Sequence, residues 1–462
     1  MKVIIVGLGR TGMMLLGSLA RENYDIVVID KDQDLVEFVT DKYNVDGVTG
    51  SGASRETLLA AGASTADAII ALAQTDEVNM LACMRAKHLG TRYAAARVFQ
   101  RDLIKEAESV KYEYNIDDII SPHLDAAEEF YENMGLPAFV KVGGSFSDNI
   151  RMYNLNVIEN SLFDNRTVRD IQAKSKNQAR IACVLRNNRF YIPDDSFVIN
   201  ADDNLTILTV KGDHKEAMAS LGVGRHKTKK IAIVGGGAIS EFFLEKIENG
   251  RYTIDIFEAD PDRCIYLMNK FPKTTIHYTD LETINVMDEK NVDAVDLLIS
   301  ASDKDEENLV VSMYAWSSKV PSVMTHIDNP EHLRFLHKVN IDITVSAAES
   351  SVLKCMRFLR NHESADSAQK IGTFYFAADG EAEIVELIAG KDFSKLDVPF
   401  GKSGLHLKTG VAVLTIIRGG VSVDIDEDTS ITEGDRVVVA AKRKLHLRNL
   451  DEILAGHRGS AM

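Results

Sequence analysis

The sequence has little cysteine, little positive charge and no long apolar run. Its four cysteines, Cys83, Cys183, Cys264 and Cys355, lie far apart in 462 residues, and none belongs to a C-x-x-C pair. This spacing is typical of buried thiols in a reducing compartment and indicates neither a zinc site nor a disulfide framework. Lysine and arginine number 53 against 69 aspartates and glutamates, so the formal net charge is −16. Nucleic acids and anionic bilayers attract clustered basic residues, so this charge argues against either as a direct partner.

Membrane-spanning, targeting and catalytic signatures are also lacking. The apolar runs have the length of short strands, whereas a transmembrane helix needs about 20 apolar residues. The chain enters an apolar run at Val3, so we expect no signal peptide. The motifs G-x-S-x-G and H-E-x-x-H and a lysine of the Walker type do not occur. We therefore expect a cytoplasmic protein, and 462 residues predict several domains.

The most informative motif lies near the N-terminus. Apolar, mostly β-branched residues at 3–6 precede the pattern Gly7-x-Gly9-x-x-Gly12, and Asp30 ends the next apolar run. Gly7 permits a tight turn, Gly9 lets the backbone approach a pyrophosphate, and Gly12 lets helix and strand pack closely. The helix N-terminus offers free N–H groups to phosphates, and a carboxylate at position 30 can accept hydrogen bonds from ribose hydroxyls. This order of elements predicts a dinucleotide-binding unit.

The same device occurs a second time. Residues 231–234 precede Gly235-Gly236-Gly237-Ala238-Ile239-Ser240, and Glu258 follows Gly235 at the spacing that separates Asp30 from Gly7. This internal duplication determines the fold prediction for the whole chain. We expect an α/β protein with two Rossmann-like parallel-sheet domains, each followed by a small α+β module. The predicted segments are 1–121 and 229–345 for the Rossmann-like domains, 122–137 and 346–363 for their connecting helices, and 139–224 and 370–455 for the small modules.

Residues that follow the fourth strand of each predicted sheet are further candidates for nucleotide contacts. Ligands of open α/β sheets lie beyond the carboxyl ends of the strands. Ala73-Gln74 occupies this place in the first half, and Ala301-Ser302 in the second. Helix capping by Thr75 and Asp303 accounts for the same stretches about equally well.

The two predicted sites differ in their basic residues. Arg10, inside the first glycine turn, can add charge to a pyrophosphate, whereas the repeat has Ala238 there and Ser240 in place of the third glycine. We therefore expect the second site to bind phosphates less tightly or to accept a different nucleotide. Arg97, near the end of the fifth predicted strand, either faces the first site or is a plain surface arginine. Its counterpart is His326.

The small modules repeat each other as well. The sequence Arg186-Asn187-Asn188-Arg189 is typical of a tight hairpin. The run 413–420 matches the stretch from Cys183 to Asn188 in position, with Arg418 on Arg186, and the same shift places Asp435 on Asp203. The acidic run 424–428 lacks the central glycine and the terminal glutamate of a calcium loop, so we predict a solvated turn.

These motifs together resemble those of a known family. V-G-L-G-R-T-G followed by V-V-I-D, and V-G-G-G-A-I-S followed by D-I-F-E, resemble the tandem RCK (or KTN) domains of Trk potassium uptake regulatory proteins over about residues 1–455. The resemblance implies a cytosolic regulator that self-associates into a ring. It also implies a potassium-translocating integral membrane partner, TrkH- or TrkG-like, which would hold the ring at the cell membrane. Nucleotides would change the shape of the ring, with NAD(H) at the first site and NAD(H) or ATP/ADP at the second.

The resemblance also implies which residues contact the nucleotides. They are Gly7, Leu8, Gly9, Arg10, Thr11, Gly12, Asp30, Ala73, Gln74 and Arg97 in the first site, and Gly235, Gly236, Gly237, Ala238, Ile239, Glu258, Ala301 and Ser302 in the second. Ser240 and the run His277-Tyr278-Thr279-Asp280 depart from the family pattern at the second site. Two alternatives are an NAD-dependent dehydrogenase, which would need a substrate domain and an acid or base beside the nicotinamide, and a regulator of a different transporter or channel.

Overall fold

The computed structural model describes residues 1–22, 24–146, 150–279, 294–329, 331–332, 343–363, 370–401 and 405–455. The described chain divides into two units. Residues 1–134 and 228–362 form the first, which we call the parallel-sheet unit. Residues 135–227 and those described from 363 onward form the second, the antiparallel-sheet unit. Each unit therefore combines one segment from each half of the duplicated sequence.

The first segment of the parallel-sheet unit is a doubly wound α/β domain. Its strands are β1 (Lys2–Val6), β2 (Asp25–Asp30), β3 (Asp46–Thr49), β4 (Ala68–Ala71), β5 (Tyr93–Arg97) and β6 (Asp118–Ile120). They pair in the order β3-β2-β1-β4-β5-β6, and every pairing is parallel. Strand β1 is central because its apolar residues are covered on both faces, with no side chain from Val3 to Val6 more than 2% exposed.

Seven helices accompany this sheet. They are α1 (Arg10–Leu19), α2 (Gln33–Tyr43), α3 (Arg55–Ala60), α4 (Asp76–Leu89), α5 (Arg101–Lys105), α6 (Ala107–Tyr114) and α7 (Pro122–Asn133). Helices α5 and α6 are separated by one residue. The backbone leaves helical geometry at Glu106, with φ −101° and ψ 24°, and so separates α5 from α6. Pro122 opens α7 as predicted, because a helix's first turn does not need the missing N–H.

The small module after α7 is mostly antiparallel. It contains β7 (Val140–Ser145), β8 (Arg151–Asn156), β9 (Arg166–Thr167), α8 (Val168–Lys174), β10 (Ala179–Arg186), β11 (Arg189–Tyr191), β12 (Val198–Ile199), β13 (Asn204–Thr209) and α9 (His214–Ser220). The predicted hairpin is confirmed: Arg186 pairs with Arg189, and the two asparagines between them have φ of 49° and 57°. These are the left-handed conformations that a type I′ turn requires.

The second half repeats both patterns. Its parallel sheet contains β14 (Lys230–Val234), β15 (Thr253–Glu258), β16 (Thr275–Tyr278), β17 (Leu297–Ser300), β18 (Val323–His326) and β19 (Ile343–Val345), with helices α10 (Ala238–Ile247), α11 (Pro261–Lys270), α12 (Asp305–Ser317) and α13 (Ala347–Glu363). The strand order β16-β15-β14-β17-β18-β19 matches that of the first sheet. A five-stranded sheet follows, with β20 (Lys370–Ala377), β21 (Ala382–Ile388), β22 (Val411–Arg418), β23 (Val421–Val423) and β24 (Arg436–Lys442). The predicted fold class is therefore confirmed.

The two Rossmann-like segments share one apolar core through their connecting helices. Ala126 and Phe130 of α7 belong to the same buried cluster as Phe242 and Phe243 of α10. Helix α13 follows the second sheet, yet its Arg360 forms a buried ion pair with Glu22, just beyond α1. Each half of the chain thus sends its connecting helix to the other half.

The two small modules also pack against each other within the antiparallel-sheet unit. Met152 and Leu208 of the first share a buried cluster with Ile384 and Val438 of the second. The hydroxyl of Tyr375 donates to the Ser145 carbonyl at 2.7 Å and accepts from the Ser145 N–H at 2.8 Å.

Candidate nucleotide-binding sites

The first glycine turn has the geometry that a dinucleotide requires. Gly7 has φ +92°, and a Cβ there would lie 2.8 Å from the Ala73 nitrogen. A Cβ on Gly12 would lie 1.9 Å from the Gly7 carbonyl oxygen, so glycine is required for the close contact of strand and helix. Gly9 precedes α1 without a side-chain cap, and a Cβ there would meet nothing within 4 Å. The N-terminus of α1 is therefore accessible to a phosphate.

The Asp30 carboxylate lies beside this turn. One oxygen accepts from the Leu8 N–H at 2.6 Å, and the other accepts from the Asp32 N–H at 3.1 Å. A carboxylate oxygen accepts more than one hydrogen bond, so both retain capacity for ribose hydroxyls. We call the space bounded by the Gly7–Gly12 turn, Asp30 and the residues after β4 the first crevice.

Arg97 faces the first crevice, so the reading of it as a plain surface residue was wrong. Its Nη2 donates to the carbonyls of Leu72 and Ala73, at 2.6 and 2.9 Å, and its Nη1 donates to the Thr11 hydroxyl at 3.3 Å. The guanidinium also lies 4.8 Å from the centre of the Phe99 ring. Burial lowers the pKa of Arg97, but an arginine remains charged in proteins. A fixed positive charge is thus present at the carboxyl end of the sheet.

Arg10 and Gln74 are, with Gly9, the exposed members of the predicted first set. Arg10 is the first residue of α1, next to the free helix N-terminus. Gln74 follows β4 and is also exposed, whereas Ala73 is half-buried. Their positions bring both to the mouth of the first crevice.

The second crevice is formed by the repeat of the same elements. Gly235 has φ +95°, and a Cβ there would lie 2.6 Å from the Ser302 nitrogen. Glu258 accepts from the Gly236 N–H at 2.7 Å with one oxygen, and from the N–H groups of Ala259 and Asp260 with the other, at 2.7 and 2.9 Å. The acid and the glycine turn therefore meet as they do in the first crevice. Ala238 and Ile239 begin the helix α10 that follows the turn.

The structure shows which residues correspond at the two β4-type strand ends. Asn79 bonds both the N–H and the carbonyl of Ala73, and Asn308 bonds the same two groups of Ser302. Ser302 is therefore the counterpart of Ala73, and Asp303 is the counterpart of Gln74. Ala301 corresponds to Leu72 and is 2% exposed, so its side chain is buried.

Two side chains distinguish the second crevice from the first. A Cβ on Gly237 would lie 3.7 Å from an Asp303 carboxylate oxygen, which places negative charge beside the phosphate-binding turn. Ser240 replaces the third glycine, and its hydroxyl donates to the Gly235 carbonyl at 2.5 Å. Asp303 does not cap α12: the helix begins after Lys304, without a side-chain cap. In the first half, Thr75 caps α4 by accepting from the Val78 N–H, as predicted.

Arg263 is a residue of the second crevice that the sequence reading missed. Its Nε donates to the Gly236 carbonyl at 2.7 Å, and its Nη2 donates to Glu241 at 2.5 Å. Glu241 also bonds Tyr266 and Lys270 and pairs with Arg101 from the first half. The available signal was the capping residue Asp260, two positions after Glu258. It places Arg263 in the first turn of a helix beside the glycine turn.

The remaining predicted features have these positions. His277 lies on the edge strand β16, where it bonds Asp255 at 2.8 Å and stacks on Phe257; Asp280 lies outside the described residues. The acidic run is a turn in which Asp426 accepts from Asp428 and Thr429, as predicted.

Within the described part of the chain, no group of three or more His, Cys, Asp or Glu side chains is arranged to hold a metal ion. None of the described helices combines the length and apolar character that crossing a bilayer requires.

Comparison with known proteins identifies relatives along nearly the whole chain. The chain is 25% identical to the Trk system potassium uptake protein TrkA of Haemophilus influenzae over 458 residues, and 27% identical to that of Halomonas elongata over 463 residues. Both alignments cover 98% of this chain and 98% of the relative.

Solved structures share the fold. The GsuK channel bound to NAD matches with a TM-score of 0.62 and 15% identity, covering 96% of this chain and 76% of that one. The GsuK RCK domain matches with a TM-score of 0.61 and 15% identity, covering 96% and 92%.

Family models match the modules themselves. The TrkA-N domain matches residues 3–122 and 231–347, and the TrkA-C domain matches residues 152–222. The two TrkA-N copies account for just over half of the chain, and they coincide with the two parallel sheets. The chain therefore belongs to the TrkA family of proteins with tandem TrkA-N domains.

Proposed function

We propose that this protein is the cytosolic nucleotide-sensing subunit of a potassium uptake system. It binds NAD(H) in the first crevice and NAD(H) or ATP/ADP in the second. The resulting conformational change gates a potassium-translocating integral membrane partner, beneath which the protein self-associates into a ring. We also propose that the modules have the boundaries that the sequence predicts, at residues 121, 139, 224, 229, 345 and 370. The full-length relatives, which carry the name of a potassium uptake protein, support it.

The observation that carries this proposal is the presence of two glycine turns, each held against an acid at the end of the neighbouring strand. In the first crevice the open position over Gly9, the helix N-terminus and Arg97 fit a pyrophosphate, and Asp30 fits a ribose. In the second, Arg263 supplies the positive charge and Asp303 opposes it. This balance favours a weaker or different nucleotide there. A ligand shifts a conformational equilibrium only to the extent that it binds one conformation more tightly than the other. Two crevices with unequal affinities for nucleotides therefore suit a protein that senses the ratio of two nucleotides.

The binding part is tested with paired variants of the two acids. Asp30→Asn removes a charged acceptor of ribose hydroxyls and is expected to weaken NADH binding to the first crevice by roughly 10- to 100-fold. Glu258→Gln should change only the second binding event in the same isothermal titration. Asp25→Asn is the matched control, because Asp25 begins the same strand at its far end and is exposed. Equal NADH affinities for Asp30→Asn and Asp25→Asn would contradict the assignment.

The partner part is tested by copurification from native membranes in digitonin. We expect the full chain to retain a potassium-transport membrane protein, and added NADH or ATP to change its potassium flux in proteoliposomes. Steady oxidation of NADH by the purified chain with a small-molecule substrate would instead support a dehydrogenase. Retention of a transporter for another ion would show that the regulated system is a different one.

A further inference from the structure

A buried glutamate joins the two halves of the parallel-sheet unit. Glu241 lies in the first turn of α10, the helix that follows the second glycine turn, and it is 5% exposed. Its carboxylate pairs with Arg101, the first residue of α5 in the first half. It also pairs with Arg263 and Lys270 of α11 in the second half. We call these four residues the Glu241 cluster.

Arg263 connects the Glu241 cluster to the phosphate-binding turn of the second crevice. Its Nε donates to the Gly236 carbonyl at 2.7 Å, and its Nη2 donates to the Gly237 carbonyl at 3.4 Å and to Glu241 at 2.5 Å. One guanidinium group therefore contacts both the turn and Glu241. A phosphate at the N-terminus of α10 would attract this group, and Glu241 attracts it as well. Phosphate and Glu241 thus compete for Arg263.

Arg101 connects the Glu241 cluster to the first crevice. It follows Phe99 and Gln100, whose N–H groups both donate to the Asp76 carboxylate, at 2.9 and 2.7 Å. The Phe99 ring lies 4.8 Å from the guanidinium of Arg97, which faces the first crevice. Asp76 begins α4, after the residues that follow β4. The backbone before Arg101 is therefore bonded to the segment that bounds the first crevice.

The duplicated sequence shows that this fold does not need charges at these positions. At the shift that places Gly235 on Gly7, Glu241 corresponds to Met13 and Arg263 to Leu35. Both of these residues are apolar and partly buried, and they lie on α1 and α2. Burying a charge costs free energy even when it is paired. Packing alone therefore does not account for the charges in the second half.

We propose that the Glu241 cluster couples the two crevices, so that nucleotide binding in one raises the nucleotide affinity of the other. The inference rests on the proposed function, because it takes both crevices as nucleotide sites. Phosphate in the second crevice draws Arg263 away from Glu241, which then attracts Arg101 more strongly because it shares its charge with fewer cations. The stronger pair holds α5 against α10 and orders the loop beside Arg97 before a nucleotide binds there. Coupling is reciprocal, so a nucleotide in the first crevice raises the affinity of the second by the same factor.

The coupling is measured by isothermal titration of ADP into the full chain, with and without NADH at a concentration that fills only the first crevice. The event to follow is the ADP binding that Glu258→Gln weakens. NADH is expected to lower the Kd of this event by about five-fold, at the lower end of typical couplings between sites. Arg101→Gln should abolish this effect and weaken ADP binding itself, because Glu241 then holds Arg263 more tightly. Arg101→Lys keeps a charge beside Glu241 and should restore most of the coupling.

A second pair of variants tests whether Arg101 acts through Glu241. In a chain that already carries Glu241→Gln, Arg101→Gln should change the Kd for ADP by less than about two-fold, since the direct attraction between Arg101 and the phosphate is screened by salt. Lys105→Gln is the matched control, because Lys105 lies on the same helix and pairs with Glu245, at 3.5 Å. This variant should retain the coupling of the wild type.

Equal ADP affinities with and without NADH would overturn the inference while leaving the proposed function intact. So would a loss of ADP affinity on Arg101→Gln that is the same in the wild-type and the Glu241→Gln chains, because Arg101 would then act independently of Glu241. A chain that binds neither NADH nor ADP would refute both the inference and the proposed function.

Discussion

At the residue scale, the two buried asparagines are as important to the crevices as the glycines. Asn79 bonds the N–H and carbonyl of Ala73 and the carbonyl of Arg97. Asn308 bonds the equivalent groups of Ser302 and His326, and also Ser300. Each side-chain amide thus connects the carboxyl ends of two neighbouring strands. The residues that face the crevice follow these strand ends.

Replacement of Asn79 by alanine is expected to leave the Ala73 N–H and the Arg97 carbonyl without partners, whereas the Ala73 carbonyl keeps its bond from Arg97 Nη2. The cost is about 2–4 kcal/mol of unfolding free energy, since each unsatisfied buried group costs about 1–3 kcal/mol and the loop relaxes in part. Thermal unfolding measures it. The control is Asn154→Ala in the first small module, whose side chain is half-buried and bonds a threonine hydroxyl. A melting temperature no lower for Asn79→Ala than for Asn154→Ala would refute the role.

Sequence patterns located the glycine turns and acids because their function depends on local geometry, such as φ +92° at Gly7. They did not locate Arg263, whose role depends on a helix that approaches the turn from elsewhere. They chose Ala301-Ser302 and Ala73-Gln74 as candidate contacts, whereas the asparagine bonds show that Ser302 is the equivalent of Ala73. The assignment of nucleotide contacts residue by residue stays a prediction.

At the element scale, the connecting helix α13 is attached to the first half by a buried ion pair. Arg360 Nη2 donates to Glu22 at 2.8 Å and its Nε at 3.2 Å, and the two side chains are 4% and 3% exposed. A buried charge whose partner is removed is strongly destabilising, by about 3–5 kcal/mol, whereas replacement of both by apolar residues is often neutral.

Arg360→Met or Glu22→Met alone is therefore expected to lower the melting temperature by about 5–15 °C. The double variant should recover most of that loss, since no charge is then left buried. Arg418→Met provides the comparison, because its pair with Asp435 is at the protein surface on the arginine side, at 43% exposure. Additive losses in the double variant would show that the two residues do not act as a pair.

Strands and helices of the parallel sheets were predictable because apolar runs and glycines alternate in order. The strands of the first small module were less predictable. Strands β7 and β8 were missed, since β7 contains the glycines Gly143 and Gly144 and β8 is rich in polar residues, which weakens the strand pattern. The bidentate pair Arg186–Asp203 and its repeat Arg418–Asp435 were nevertheless anticipated as matching positions. The spacing within each pair is the same, because each pair joins the hairpin of its module to the strand that follows.

At the scale of the whole molecule, the duplication explains why each half needs the other. Helix α7 buries Ala126 and Phe130 against α10, and α13 reaches Glu22 beside α1. The repeat makes α1 the counterpart of α10 and α7 the counterpart of α13. Sequence periodicity predicted these helices but not their exchange, because the choice of partner depends on contacts between residues far apart in sequence, such as Glu128 with Lys246 and Glu22 with Arg360.

The exchange leads to a prediction for the half-chain. Residues 1–224 expressed alone would expose the apolar face of α7, so we expect two copies to pair, with α7 of each packing on α1 of the other. Light scattering after size exclusion should give twice the half-chain mass, while the full chain has no exposed α7 face to pair in this way. Phe130→Glu in the half-chain should shift it toward the monomer, because a carboxylate cannot be buried in that contact without a partner. Tyr131→Glu, at the half-exposed position next to it, should not. A soluble, monodisperse monomer of residues 1–224 would show that the first Rossmann-like segment does not depend on an exchanged helix.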